Sequence, residues 1–209
     1  MTAVADRPLR ADAARNVERI LRAARDVYGE LGPDAPVEAI ARRAGVGERT
    51  LYRRFPTKAD LVRAALDQSI AEDLTPAIED AGRADDPLRG LARLIEAAIA
   101  LGAREQNLLT AAHRAGSLTA DISDSLNVAL GDLVHRGQQA GIVRAELVSD
   151  DLPRLIGMLY SVLSTMEPTS AGWRRYVALI LDAISTDERQ PLPPAPAFRY
   201  AHEPNSWPL

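Results

Sequence analysis

The sequence contains no cysteine, and this absence excludes several kinds of chemistry. A chain without thiols has no disulfide framework, no thiol nucleophile and no cysteine-ligated metal. Aromatic residues make up only 4% of the 209 residues. No apolar run approaches the roughly 20 residues of a membrane span, and the N-terminus lacks the apolar core of a signal peptide. We therefore expect a cytoplasmic protein with no membrane association, no metal and no cofactor.

Positive charge is supplied almost entirely by arginine, since Lys58 is the only lysine. The charge is also unevenly distributed along the chain. Residues 1–65 contain 13 Arg and Lys against 9 Asp and Glu, whereas the remaining residues contain 12 against 20. A mildly basic N-terminal part followed by an acidic body is typical of a nucleic-acid-binding head on a carrier domain.

Apolar residues recur at three- and four-residue steps along most of the chain, which predicts helices and no strands. The predicted helices span about 12–31, 36–44, a short segment ending before Pro56, 57–74, 87–102, 105–114, 119–139, 150–165 and 172–185. The fold class is therefore all-α, with about nine helices. Residues 1–11 lack periodicity and are interpreted as a mobile arm, and six prolines predict an extended tail over 186–209.

Residues 44–58 combine helix stops, a turn and a helix start in a short space. Gly45 is suited to the left-handed position that ends a helix, and Pro56 ends the next helix by restricting Phe55. Thr57 is a good N-cap, with Asp60 three residues later in a capping-box arrangement. Together with the helix over 12–31, this segment predicts a helix-turn-helix unit.

The helix between Gly45 and Pro56 has a side chain composition that suits a DNA major groove. Leu51 and Phe55 share one buried face, and arginines occupy much of the remaining surface. Arginine can bind guanine edges or phosphates, and threonine and tyrosine hydroxyls can bind phosphates. The candidate DNA-binding residues are Arg42, Gly47, Glu48, Arg49, Thr50, Tyr52, Arg53, Arg54 and Lys58. The alternative is a solvated arginine face on a small helical bundle.

The segment from Val37 to Leu61 contains a longer motif. It matches the pattern I-A-x-x-A-G-V-x-x-x-T-L-Y-x-x-F-x-x-K-x-x-L, and the sequence from about residue 12 to 62 closely resembles the TetR family of bacterial transcriptional regulators. Two positions depart from the pattern, because Pro36 and Gly47 replace residues that often carry a hydroxyl. Glu48 is unusual beside DNA. Its carboxylate could accept a hydrogen bond from a cytosine amino group, or it could form an ion pair with a neighbouring arginine. The ion pair is the slightly favoured interpretation.

The resemblance implies a DNA-binding domain over 1–62, a ligand-binding and dimerisation domain over 63–185, and the tail over 186–209. It also implies that the last two helices form a homodimer interface, which would place two recognition helices on one DNA duplex. The candidate interface residues are Leu152, Ile156, Leu159, Leu163, Trp173, Val177, Ile180, Leu181 and Ile184. The alternative interpretation of these apolar residues is ordinary core within one chain.

A small-molecule effector site is implied among the helices of the second domain. The candidate pocket residues are Ile95, Ile99, Leu108, His113, Leu126, Leu130 and Tyr160, although ordinary core is the favoured interpretation of any single one of them. The low polarity of these faces favours an apolar or aromatic-containing ligand.

The predicted function is a dimeric repressor that a small ligand releases from a pseudo-palindromic DNA operator. The alternatives are a transcriptional activator, a ligand-independent adaptor with the same fold, and an all-α enzyme that uses a histidine. We expect no enzyme, because His113, His135 and His202 are scattered along the sequence without a ligand-like or catalytic set around them.

Overall fold

The computed structural model describes residues 6–117, 121–163, 165–166 and 171–186. Within these ranges the chain forms ten α-helices and one π-helical turn, with only an isolated bridge between Val143 and Ser185 in place of a strand. The helices are α1 (Asp6–Leu31), α2 (Val37–Ala44), α3 (Glu48–Arg54), α4 (Lys58–Ser69), α5 (Thr75–Gly82), α6 (Pro87–Arg104), α7 (Gln106–Arg114), α8 (Asp121–Gln139), α9 (Asp151–Leu163) and α10 (Arg174–Ile184). The predicted all-α class is confirmed. Almost all of the predicted tail, from residue 187, lies outside the described residues.

The first helix begins at Asp6, six residues before its predicted start. The prediction of an irregular arm over 1–11 is therefore wrong for residues 6–11, and residues 1–5 lie outside the described part. The missing apolar periodicity discouraged a helical assignment of these residues. Pro8 is compatible with the first turn of a helix, because the first N–H groups of a helix have no partner inside it.

The helix predicted over 57–74 is interrupted. Its start is as predicted, since Thr57 and Asp60 form a reciprocal capping box. After Ser69 the chain passes through a π-helical turn at Ile70–Leu74 and continues as α5, which the sequence did not predict. The sequence predicted that Thr75-Pro76 ends or kinks the helix over 57–74. Helix α4 already ends at Ser69, and Pro76 lies in the first turn of α5, where it needs no hydrogen bond.

The chain forms two compact units. The first, Met1–Ile70 with Arg104–Ile122, is called the head unit here, and the second, Ala71–Ala103 with Ser123–Leu209, is called the body unit. The buried core of the head unit joins side chains from α1, α2, α3, α4 and α7. Helix α7 therefore belongs to the head unit, although the sequence placed residues 105–114 in the domain over 63–185. Its apolar spacing predicts a buried stripe but not the helices against which that stripe packs.

The body unit contains α5, α8, α9, α10 and nearly all of α6. Small residues on α6 allow close packing in this unit. A Cβ built on Gly102 would lie 1.9 Å from Cε1 of Tyr160, and one on Gly90 would lie 2.6 Å from Cδ2 of Leu133. The Tyr160 hydroxyl donates to the carbonyl of Ala98 over 2.8 Å, which fixes α9 on α6. None of the described helices is both long enough and apolar enough to cross a bilayer.

Candidate nucleic-acid interface

The turn between α2 and α3 is formed by glycine, as predicted. Gly45 has φ of 64°, which is the left-handed conformation that favours glycine. Its N–H donates to the carbonyl of Arg42 and the N–H of Val46 donates to that of Ala41, so that two terminal carbonyls of α2 are satisfied. Gly47 then accepts from the N–H groups of Thr50 and Leu51 at 2.9 and 3.1 Å and begins α3.

Helix α3 is attached to the head unit by one apolar edge. Leu51 is 1% exposed, and Phe55 directly after the helix is also buried. At 100° per residue, Arg49 and Arg53 lie nearly opposite Leu51. Both are exposed, as are Glu48, Tyr52 and Arg54, whereas Thr50 is half-buried. The predicted orientation of this helix is thus the one observed.

The arginines of α2 and α3 fall into two groups. Arg43 donates to both carboxylate oxygens of Glu30, at 3.0 Å for the Nη1–Oε1 pair, and these hydrogen bonds lower the pKa of Glu30. By contrast, the other four guanidinium groups of these two helices show no hydrogen bond or ion pair with any described residue. They belong to Arg42, Arg49, Arg53 and Arg54. These four exposed cations are the charges of α2 and α3 that are available to an anionic partner.

Glu48 does not form the ion pair that the sequence favoured. Its carboxylate is exposed, and within the described residues no arginine lies within ion-pair distance of it. The neighbouring arginines project in other directions, because residues one and five positions away lie about 100° and 140° round a helix. The carboxylate is therefore open to a partner outside the chain.

Lys58 has an intramolecular role as well as an exposed surface. Its Nζ donates to the carbonyl of Ala35 over 3.0 Å and lies 5.7 Å from the centre of the Tyr28 ring. An ammonium group has three N–H donors, so that two remain for a phosphate. The sequence predicted only the phosphate contact, since nothing in the motif places Ala35 beside the start of α4.

Arg19 is a positioning residue that the sequence did not single out. Its Nε donates to the carbonyl of Ala44, the last residue of α2, over 2.9 Å. A cation at the end of a helix also interacts favourably with the helix dipole. Arg19 therefore holds α1 against the turn that precedes α3. The only signal in the sequence was its place off the apolar stripe, which it shares with several solvated arginines.

The predicted ligand-pocket residues are divided between the two units. Leu108 and His113 lie on α7 in the head unit, where Leu108 is buried in the core and His113 is exposed. The other five lie in the body unit: Ile95, Ile99 and Leu130 are fully buried, Leu126 is half-buried, and Tyr160 is bonded to Ala98. The seven candidates therefore do not belong to a single unit.

A groove with a cavity volume of about 710 Å³ lies elsewhere in the body unit, along α5 and α8. Its walls combine apolar side chains, such as Ile78 and Val128, with the carboxylates of Asp124 and Asp132. Arg136 also lines it and donates to the carbonyls of Gly82 and Ala84. This lining is more polar than the predicted pocket. Its residues are not those that the sequence selected.

Most of the predicted dimer-interface residues are buried within the single chain. Six of them belong to the core of the body unit, namely Leu152, Ile156, Leu159, Trp173, Val177 and Ile184. Leu163, Ile180 and Leu181 are half-buried. The most exposed large apolar side chains of α9 and α10 are instead Met158, 64% exposed, and Leu179, 41% exposed. The periodicity identified apolar helices but selected their inward faces.

Three helices, α1 to α3, with a glycine turn before an exposed arginine-rich helix, define a helix-turn-helix DNA-binding protein. Comparison with protein families agrees with this class. The family described as "Bacterial regulatory proteins, tetR family" matches residues 20–65. A comparison with curated protein sequences found no match.

Solved structures extend the similarity over most of the chain. A TetR transcriptional regulator from Streptomyces coelicolor is 30% identical, with a TM-score of 0.58 over 81% of this chain and 98% of that one. A TetR transcription regulatory protein from Mycobacterium vanbaalenii is also 30% identical, with a TM-score of 0.61 over 86% and 100%. A regulator from Saccharomonospora viridis, solved in complex with choline, is 21% identical with a TM-score of 0.65 over 83% and 100%, which shows a shared fold.

The chain belongs to the TetR family, and it is a DNA-binding transcriptional regulator. The family predicted from the motif at Ile40–Leu61 is thereby confirmed. Members of this family are generally regulators rather than enzymes.

Proposed function

We propose that a homodimer of this regulator represses transcription in the cytoplasm by occupying a two-fold symmetric operator, and that a small molecule releases it. The observation that carries the proposal is the surface of α3. A single buried edge holds the helix, and its exposed side presents Arg49, Arg53 and Arg54, which have no partner among the described residues. Exposed cations on a rigid short helix fit the major groove, whose edges and phosphates accept hydrogen bonds.

The positions of the side chains suggest separate roles. Arg49 and Arg53 project farthest from the buried edge and are assigned to base edges, where arginine binds guanine bidentately. Phosphate contacts are assigned to residues at the border of that surface: Arg42, Tyr52, Arg54 and Lys58. Thr50 is half-buried, and we assign it to a phosphate or a thymine methyl group. Gly47 supplies a backbone N–H at the start of the helix.

Glu48 is assigned to a base rather than to the backbone of the operator. A carboxylate accepts hydrogen bonds and donates none, and phosphates repel it. The major-groove donors that remain are amino groups, of which that of cytosine is the usual partner of a carboxylate. The absence of an arginine partner for Glu48 among the described residues supports this interpretation over the ion pair.

Dimerisation is expected because α3 is short. Seven residues span about 10 Å, enough for only a few base pairs, so that a second copy is needed to read a site of useful length. The exposure of Met158 and Leu179 supports a contact through the outward faces of α9 and α10. The half-buried residues Leu163, Ile180 and Leu181 would border it, whereas the six buried residues support it from within one chain.

Release by an effector requires a ligand that binds one conformation of the dimer better than the other. Ligand and operator then weaken each other by the same factor. The groove along α5 and α8 is the cavity in the body unit that we assign to the effector. Its mixed lining favours a small molecule with both an apolar part and a polar or cationic group, rather than the purely apolar ligand expected from the sequence.

A reporter experiment tests the proposed function. Purified protein would first be used to enrich a duplex from a random library, and this selected duplex would be placed across the promoter of a reporter gene. A repressor lowers expression when the protein is supplied, and an activator raises it. Failure to enrich any duplex, together with turnover of a substrate, would favour the enzyme alternative. Compounds that restore expression would then identify the class of effector.

A further inference from the structure

Glu105 is a buried charge that the DNA-contacting surface does not explain. It is the single residue between α6 and α7, and it is only 4% exposed. One of its carboxylate oxygens, Oε1, accepts from Nε and Nη2 of Arg25 at 3.0 and 2.9 Å and from Nε of Arg104 at 3.0 Å. Carboxylates are almost never fully buried unless they are paired, and here two guanidinium groups converge on one oxygen.

The partner Arg25 belongs to α1 and is itself only 18% exposed. The pair therefore joins the C-terminal half of the first helix of the head unit to the residue directly before α7, 80 residues later in the chain. Loss of Glu105 removes the carboxylate that faces the largely buried Arg25, and loss of Arg25 leaves the buried Glu105 with the contact to Arg104 alone. Breaking a buried ion pair by removing one member is strongly unfavourable. The position of α7 against α1 thus depends on this contact.

The opposite end of α7 is held to the same unit. Nη1 of Arg114 donates to both carboxylate oxygens of Asp34 at 2.9 Å, and the Ser117 hydroxyl donates to the carbonyl of Ala59 over 3.3 Å. Between the two ends, Leu108, Ala111 and Ala112 are buried in the shared core. The exposed Arg114–Asp34 pair contributes little by itself, so that Glu105 is the main polar anchor of α7.

Two contacts connect the Arg25–Glu105 pair to α3 and to the start of α4. On α1, Arg19 lies six residues before Arg25 and holds the carbonyl of Ala44, directly before the turn into α3. At the other end, Asp34 precedes Ala35, whose carbonyl binds Lys58. A shift of α1 relative to α7 therefore moves groups that position both α3 and the start of α4.

We infer that Arg25 and Glu105 are positioning residues for operator recognition: they clamp α7 onto α1 and so fix the arrangement in which α3 reads DNA. The inference rests on the DNA-binding function proposed above and extends it to residues far outside the helix-turn-helix. Neither residue contacts DNA in this account. Their effect reaches the operator through the geometry of the head unit.

The test compares wild-type protein with Glu105→Gln, which keeps the shape of the side chain and removes its charge. Binding to the selected duplex and to an unrelated duplex is measured at a temperature well below both unfolding midpoints. We expect affinity for the selected duplex to fall about tenfold, which corresponds to ~1.4 kcal/mol. Affinity for the unrelated duplex should hardly change, and neither should the dependence of DNA affinity on salt concentration, because no phosphate contact is lost. The control is Glu79→Gln, which removes an exposed pair with Arg83 on α5 and should have no effect.

Two results would overturn the inference. One is a lower unfolding temperature with unchanged affinity for the selected duplex, which would make the pair merely stabilising. The other is a flatter salt dependence in Arg25→Gln, which would indicate that Arg25 itself contacts phosphate. If Glu105→Gln does not fold, Arg25→Lys gives the same comparison. Lysine keeps the positive charge but cannot contact Glu105 through two nitrogens as the guanidinium group does.

Failure of the wild-type protein to enrich a duplex would contradict the proposed function. The contact between α1 and α7 through Arg25 and Glu105 can still be tested without DNA, by hydrogen exchange. The amides of α7 should exchange hydrogen faster in Glu105→Gln than in wild type, since the helix would be released from α1. Equal exchange rates of the α7 amides in the two proteins would contradict the inference that the Arg25–Glu105 pair holds α7 against α1.

Discussion

The two units expose different kinds of surface on similar amphipathic helices. In the head unit, α3 buries Leu51 and exposes arginines that lack partners in the described chain. In the body unit, α9 and α10 bury one apolar face and still expose Met158 and Leu179. Exposed cations without partners indicate an anionic ligand, whereas large exposed apolar side chains indicate contact with protein. The comparison therefore supports the proposal that DNA binds one surface and a second copy of the chain binds the other.

The largest expected effect is on the apolar surface of the body unit. Leu179→Glu places a charge on the exposed face of α10 and should dissociate the dimer, because a charged residue in an apolar contact costs about 2–4 kcal/mol or more. Sedimentation velocity would show monomers, and affinity for the selected duplex would fall accordingly. Val148→Glu is the matched control, since Val148 is similarly exposed but lies outside α9 and α10. A dimeric Leu179→Glu protein would move the interface elsewhere.

A smaller effect is expected where α9 packs on α6 inside the body unit. Gly102→Ala places a methyl group 1.9 Å from a ring carbon of Tyr160, so that the ring must move. Overpacking of this kind costs about 1–3 kcal/mol, and thermal unfolding would measure it.

The control for this substitution is Gly131→Ala in α8, where the nearest atom is an ordinary 3.5 Å away. It should stabilise the helix by about 0.5–1 kcal/mol, because alanine loses less backbone freedom on folding than glycine. If Gly102→Ala unfolds at the same temperature as wild type, the contact between Tyr160 and α6 is loosely packed. DNA affinity per dimer should be the same in both variants.

The head unit was predictable to the extent that local chemistry determines it. Gly45, Pro56 and the Thr57–Asp60 capping box each act within a few residues, and they located the turn and both neighbouring helices. The exposure of Arg49 and Arg53 followed from their spacing to Leu51. Lys58 was only partly understood, because its contact with the Ala35 carbonyl joins positions 23 residues apart that no short pattern connects.

The body unit was less predictable, because its apolar spacing is compatible with several partners. The same three- and four-residue steps describe Leu152, which is core, and residues of an interface or a pocket. Side chains on opposite sides of one helix, such as Val177 and Leu179, can be equally apolar and yet have different environments. The assignment of α7 to the head unit also depends on contacts with distant residues, of which the Arg25–Glu105 pair is the clearest.

The most direct test of the central claim is the base preference of the wild-type protein compared with that of Arg53→Ala. Both proteins would be used to enrich duplexes from one random library, and the products would be sequenced. Wild type should enrich an inverted repeat whose half-sites are about one helical turn, ~34 Å, apart. Arg53→Ala should keep the repeat and lose about 1–3 kcal/mol of discrimination at one base pair in each half-site. No enriched repeat with the wild type, or an unchanged preference in Arg53→Ala, would contradict the assignment of α3 as the helix that reads the operator.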